Sequence, residues 1–207
     1  MNRLSLLLLV LVGMVVLSCG EETASTSPYE KTVMQARVQR DMRMREKNSV
    51  LPPDRRDAFR GLDFYEVDPA YRYVAPLQRS SMPDTVMIAE STGGVRSQVR
   101  IGWVTVPLPR DTVELAVFQS ESEDPRGRLW IPFADSTNGY ATYKAGRYVD
   151  LKPAEGDSVV IDFNRTYNPT CAYNPEFACP LPPPENRIAA PVPVGEKTPL
   201  FREGAAS

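Results

Sequence analysis

Val99-Arg100-Ile101-Gly102-Trp103-Val104-Thr105-Val106-Pro107-Leu108-Pro109-Arg110-Asp111-Thr112-Val113-Glu114-Leu115-Ala116-Val117-Phe118 is the stretch that decides the fold. Val99, Ile101, Trp103 and Thr105 alternate with Arg100, Gly102, Val104 and Val106. After Leu108-Pro109-Arg110-Asp111, Val113, Leu115 and Val117 alternate with Glu114, Ala116 and Phe118. Two period-two runs joined by a short Pro-bearing turn predict an antiparallel hairpin.

Downstream, Leu129-Trp130-Ile131-Pro132-Phe133 reads as a strand whose proline suits an edge or a bulge. Gly146–Leu151 and Asp157–Asn164 add two more around the turn Lys152–Gly156, and Tyr71–Pro76 and Thr85–Ala89 are weaker candidates. Six to eight short strands predict a mainly β fold, a single antiparallel β-sandwich or small barrel-like domain. Upstream, Tyr29–Asn48 has no internal Pro or Gly, and Met34, Val38 and Met42 recur every fourth residue. This predicts an amphipathic basic helix over residues 29–50, packed on the body by its methionines. Tyr29–Arg60 carries nine Lys or Arg against five acids, which fits either a solvated helix face or contact with anionic lipid head groups. Nine of the 20 prolines fall between Pro169 and Pro199. Proline removes backbone donors and fixes φ, so a proline-rich arm from about residue 168 is expected to lie extended across the β body. Tyr167, Tyr173, Phe177 and Leu181 give this arm apolar groups to bury.

The chain starts with Arg3, an apolar run Leu4–Leu17, then Ser18-Cys19-Gly20. A membrane-spanning helix needs about 20 apolar residues, and this run is shorter. The pattern resembles a bacterial lipoprotein signal peptide over residues 1–18, with Cys19 as the lipid-carrying residue and residues 19–28 as a flexible tether. Gly20 is not Asp, so by that resemblance an inner-membrane retention signal is absent. The expected place is the cell envelope, lipid-anchored in the outer membrane and facing the periplasm. Removing residues 1–18 leaves 23 basic against 26 acidic side chains, which argues against nucleic acid as a partner. There is no histidine, which excludes Ser-His-Asp and Cys-His nucleophilic catalysis and His-ligated zinc.

Two long segments carry a resemblance. One is Ile131-Pro132-Phe133-Ala134-Asp135-Ser136-Thr137-Asn138-Gly139, continuing through Tyr143 to Gly146-Arg147-Tyr148-Val149-Asp150-Leu151. The other runs from Asp162-Phe163-Asn164-Arg165-Thr166-Tyr167-Asn168-Pro169 through Cys171, Cys179-Pro180-Leu181-Pro182-Pro183 and Glu185-Asn186. With Gly61-Leu62 and Asp68-Pro69-Ala70-Tyr71-Arg72, they resemble the bacterial domain-of-unknown-function family 1684, over roughly Arg40 to Lys197. Lys144-Ala145 departs from the glycines expected there. The resemblance implies an exported, mainly β domain and no agreed substrate.

Alternation places Val159, Ile161 and Phe163 on one strand face and Asp162 and Asn164 on the other. If the strands flanking Lys152–Gly156 pair, Arg147 comes near Asp162 or Asn164. Asp135, Tyr143, Arg147, Asp162, Asn164, Tyr167, Asn168, Glu185 and Asn186 then form a polar cluster between sheet and arm. One reading is a cleft for a carboxylate, phosphate or glycan; the other is a set that satisfies the backbone of an irregular arm. Asp135 and Asp162 as a hydrolytic carboxylate pair, or Asp162, Asn164 and Glu185 around a hard cation, are weaker alternatives. Cys171 and Cys179 are a candidate disulfide in an oxidising compartment, with a buried reduced pair or a reactive thiol as alternatives. The expectation is a non-catalytic binding or scaffolding module with no cofactor, partnered by the membrane and by a small molecule or envelope protein.

Overall fold

Val95–Leu108 (β3) and Asp111–Ser120 (β4) form the expected hairpin in the computed structural model, which describes residues 26–120 and 127–202. The expected leader, Cys19 and most of the tether lie outside those residues. The hairpin is the middle of a five-stranded antiparallel sheet, completed by Gln78–Ala89 (β2), Arg128–Phe133 (β5) and Arg147–Asp150 (β6) in the order β2-β3-β4-β5-β6. Arg72–Pro76 (β1), Lys152–Pro153 (β7) and Ser158–Asp162 (β8) make a second antiparallel sheet, ordered β1-β8-β7. The chain passes between sheets at two corners, from β1 to β2 across Leu77 and from β6 to β7 across Leu151, both buried. The hydrogen-bond ladders stay in two sheets, so the fold is a sandwich, not a closed barrel.

The alternation breaks inside β3. Arg100 pairs with Phe118 while Gly102 pairs with Val117, so one residue is extra on β3 and the strand bulges. Gly102 permits this because a Cβ there would stand 2.3 Å from the Gln78 carbonyl oxygen. The bulge switches faces. Ile101, Val104 and Val106 point into the core with Leu115 and Val117, whereas Trp103 falls on the outer face with Arg100, Ala116 and Phe118. The simple period-two reading had Ile101 and Trp103 together.

Val149, Val159, Ile161 and Phe163 fill the space between sheets as the alternation predicts. The arm joins them: Ile188, Val192 and Val194 are buried in this same core, so it closes one side of the sandwich instead of lying across it. Phe177, expected to bury, is exposed.

The helix α1 runs Pro28–Met44, shorter than expected. Ser27 and Glu30 form a reciprocal capping box, the Ser27 hydroxyl accepting from the Glu30 N–H at 3.2 Å and the Glu30 carboxylate from the Ser27 N–H at 2.7 Å. Pro28 occupies the first turn, where its missing donor is harmless. The methionine stripe does not dock. Met34, Val38 and Met42 are 53%, 59% and 62% exposed. Val33 and Met44 are buried instead, and polar contacts hold the helix: Arg37 donates to the Tyr65 carbonyl at 2.7 Å and Arg40 to Glu196 at 3.1 Å. A four-residue spacing identifies a stripe but not its direction, which long arginines able to reach buried acceptors reversed here. Among the described residues no helix is long and apolar enough to cross a membrane.

Candidate functional site

Arg147 sits on β6 and is completely buried. The strand changes sheets at Leu151, so only Lys152 and Pro153 pair with β8, while Arg147 pairs with Phe133 of β5. Arg147 therefore meets Asp135 and not Asp162 or Asn164. One guanidinium nitrogen donates to Asp135 Oδ2 and to the Val192 carbonyl, each at 2.8 Å. Another donates to the carbonyls of Val194, at 2.5 Å, and Glu196, at 3.3 Å. Asp135 Oδ1 accepts from the Thr137 N–H at 2.9 Å, the Thr137 hydroxyl at 2.6 Å and the Val192 N–H at 3.3 Å. Pro191 and Pro193 have no N–H to build a ladder; Arg147 donates to the arm's carbonyls and Asp135 accepts the Val192 N–H.

Three asparagines do the same kind of work with their amides, which carry both a donor and an acceptor like a peptide group. Asn164 accepts from the Asp68 N–H at 2.8 Å and donates to the Asp68 carbonyl at 2.7 Å and to the Tyr29 hydroxyl at 3.0 Å. Asn186 accepts from the Ala116 N–H at 2.7 Å and donates to the carbonyls of Ala116 at 3.0 Å and Pro132 at 2.9 Å. Pro132 has no N–H to offer β4, and the Asn186 amide fills the missing rung. Asn168 donates to Glu196 at 3.0 Å and to the Lys197 carbonyl at 2.7 Å.

Asp162 joins Asn164, accepting its N–H at 3.1 Å and sharing the Tyr29 hydroxyl with it, while Tyr167, Glu185 and Tyr143 have other partners. Asp162 accepts from the Tyr29 hydroxyl at 2.8 Å and pairs with Arg165 at 3.2 Å. Burial and the Asp162 carboxylate push the Tyr29 hydroxyl well above its ordinary value. Tyr167 donates to Asp150 at 2.8 Å, Glu185 pairs with Arg100 at 3.0 Å, and the Tyr143 hydroxyl faces Cys171 Sγ at 3.9 Å. The nine residues thus fall into several sets, and no one cleft among the described residues is lined by all of them; Asn164 and Tyr167 share one beside the helix, and Tyr167 and Asn168 another. Asp135 and Asp162 share no partner, which removes the geometry a carboxylate pair needs. Glu185 is on the outer sheet face with Arg100, away from Asp162 and Asn164 under the helix. Among the described residues no group of three or more His, Cys, Asp or Glu could hold a metal ion.

A family model described as "Protein of unknown function (DUF1684)" matches residues 57–197. The chain belongs to the DUF1684 family. It is similar to the solution NMR structure of an uncharacterized protein of Haloarcula marismortui, at 32% identity and a TM-score of 0.64, covering 82% of this chain and 94% of that one. No curated protein matches the chain.

Two features of this DUF1684 chain were not legible from spacing. Glu196 is a fully buried carboxylate on the arm, held by Arg40 at 3.1 Å and by Asn168; burial pushes its pKa above the ordinary carboxylate value although Arg40 pulls it back. The second is a groove of about 620 Å³ on the outer face of the five-stranded sheet. Its lining includes Trp130 and Tyr148, whose rings meet edge to face at 4.8 Å, and Arg96, Gln98 and Arg128. The Trp130 indole N–H is buried and has no partner among the described residues. Part of this face is covered by the arm, where Tyr148 donates to the Pro180 carbonyl at 2.5 Å. The visible signal was Arg96, Gln98 and Arg100 alternating on one face of β3, opposite Ile88, Val86 and Asp84.

The two cysteines of the candidate disulfide lie side by side, with their sulfurs unbonded in this structure. Cys171 and Cys179 are free, buried thiols in contact, the Cys171 N–H donating to Cys179 Sγ at 3.1 Å. The hydrogen bond from Cys179 pulls the Cys171 thiol down to about 6, and the same bond together with burial pushes the Cys179 thiol up.

Proposed function

We propose that this chain is a lipid-anchored cell-envelope protein, held in the outer membrane and facing the periplasm, whose β domain is a non-catalytic binding module. The leader Arg3 to Cys19 supports the anchored placement. The Arg147, Asp162 and Asn164 sets are largely taken up in hydrogen bonds and ion pairs within the protein, with Arg147 Nε buried and unpartnered among the described residues; the binding reading turns to the outer-face groove because it is open.

One observation carries that reading: a buried indole N–H at Trp130, without a partner among the described residues, in the lining of a groove flanked by Arg96 and Arg128. Buried polar groups are normally satisfied, and a ligand that supplies an acceptor would satisfy this one. Aromatic rings with arginines and amides suit a ring-bearing carboxylate such as an acidic sugar. A scaffolding contact with another envelope protein is the second reading, favoured by the exposed stripe Met34, Val38 and Met42.

Titration of tryptophan emission with galacturonate oligomers tests the groove. Emission should change in the wild type, and the response should weaken in Arg96→Gln and Arg128→Gln, whose side chains are half exposed and whose surface ion pairs contribute little to stability. No change up to about 1 mM, the weak end of specific binding, removes the acidic-sugar reading.

A further inference from the structure

A second cleft, of about 320 Å³, lies where α1 meets the β body. Six of the side chains lining it are cations: Arg37, Arg40 and Arg43 from the helix, with Arg128, Lys152 and Arg165 from the body. Asp150 is the one acid in that lining. The inward turn of α1 creates this concentration: Arg37 and Arg40, three positions apart, lie on the docking face, and Arg43, a further three on, falls at its exposed rim.

Docking accounts for some of these cations and not for others. Arg40 pairs with Glu196 at 3.1 Å, Arg165 with Asp162 at 3.2 Å and Arg128 with Asp150 at 3.5 Å. Arg37 has no carboxylate; it donates to the carbonyls of Tyr65 and Asn164, its ring-stacked guanidinium lies 4.7 Å from the Phe64 centroid, and its Nε is buried without a partner. Burial pulls the Arg37 guanidinium below its ordinary value, although the charges of Glu66 and Asp162 pull it back. Arg43 and Lys152 are exposed at the same cleft, and among the described residues neither makes an ion pair or a side-chain hydrogen bond. An interface whose only task was to hold the helix would gain nothing from lining one cleft with these two cations and Arg37.

We propose that this cleft binds an anionic phosphate group, with Arg43 and Lys152 as its direct ligands and Arg37 as the buried cation behind them. Several cations converging from a helix and a sheet edge suit an anion with more than one charge and oxygens pointing several ways, which a phosphate has and a single carboxylate does not. The cleft volume is at the small end of ligand sites, enough for a phosphate and a short attached group. The shared chemistry has two sources, a phospholipid head group or a free phosphate compound. The inference stands without the outer-face groove, which shares only Arg128 with this cleft; Arg43 and Lys152 line the cleft alone of the two.

The test is calorimetric titration of the full-length protein in non-ionic detergent micelles at low salt. One arm adds pyrophosphate; the other adds short-chain phosphatidylglycerol to the micelle, with short-chain phosphatidylcholine as control. The wild type should bind at least one of the two anions with a Kd below about 1 mM, and less tightly as salt is raised. Arg43→Gln/Lys152→Gln should weaken that binding at least tenfold while melting at the wild-type temperature, and Lys152→Gln alone should give a smaller loss in the same direction. Binding of phosphatidylglycerol alone assigns the site to a head group; binding of pyrophosphate assigns it to a free phosphate. Failure of the wild type to bind either, or equal affinity in the double variant, overturns the proposal. The groove variants Arg96→Gln and the galacturonate response are unaffected by either result, so the two readings fail separately.

Discussion

Asn186→Ala is the sharpest perturbation of the arm. Asn186 is fully buried and its amide makes three hydrogen bonds, one from the Ala116 N–H and two to the carbonyls of Ala116 and Pro132. Alanine leaves one donor and two acceptors without these partners, in a place where Pro132 cannot donate. An orphaned buried group costs about 1–3 kcal/mol, and carbonyls tolerate the loss better than N–H groups, so the sum is about 2–5 kcal/mol. For a domain of this size about 1 kcal/mol moves Tm by about 2–4 °C, so the variant should melt roughly 4–20 °C below wild type. Asn186→Asp sharpens the test. The carboxylate keeps an acceptor for Ala116 N–H but turns a charge on two carbonyls, so its folded-state pKa is raised. Folding then takes up a proton in the window above about 4, the ordinary Asp value, and stability falls as pH rises through the folded pKa. Thermal melts from pH 4 to pH 8 should show Asn186→Asp losing ground to wild type as pH rises. An Asn186→Ala variant within about 2 °C of wild type, a shift worth under 1 kcal/mol, would refute the account of the missing rung.

Other outcomes follow from the same geometry. Met34→Gln/Val38→Gln/Met42→Gln should leave Tm nearly unchanged, because exposed substitutions stay within about 0.5 kcal/mol each; a drop above 10 °C would show the stripe packed. Glu196→Gln should flatten a pH dependence. Burial raises the Glu196 pKa in the folded state, so wild type gains stability relative to the variant as pH falls from neutral toward the ordinary carboxylate value, and parallel curves would contradict this. Reduced protein followed at the thiolate absorbance should show one thiol titrating near 6; a single step near the ordinary cysteine value would show that the Cys171 and Cys179 thiols do not interact.

Sequence pattern revealed what depends on local order. The hairpin around Pro109, the core faces of Val113–Val117 and Val159–Phe163, and the proline-rich arm all follow from alternation and from what proline cannot do. What stayed hidden depends on a single residue's tertiary consequence. Gly102 shifts the register of β3 by one and moves Trp103 outward, and nothing in the pattern marks a bulge until the opposing Gln78 carbonyl is in place. Met34, Val38 and Met42 form a fair helical stripe, yet the helix docks by arginines because Glu196 and the Tyr65 and Asn164 carbonyls need them. The polar cluster was legible as a list and not as an arrangement. Asparagine that replaces a peptide group looks the same in sequence as asparagine that holds a ligand. The sheet switch at Leu151 decides the difference for Arg147 by giving it Asp135 as a partner.

The melting temperature of Arg147→Met separates a structural Arg147 from a functional one. The claim is that Arg147 and Asp135 pin the arm to the sandwich and serve no ligand. Removing one member of a buried, hydrogen-bonded ion pair costs about 3–5 kcal/mol, so the variant should melt roughly 6–20 °C below wild type. Asp135→Asn/Arg147→Met should recover part of the loss, since no uncompensated charge is left behind. An Arg147→Met protein that melts at or above wild type would mark a group held for function at the expense of stability, and would return the binding site to the Arg147 cluster.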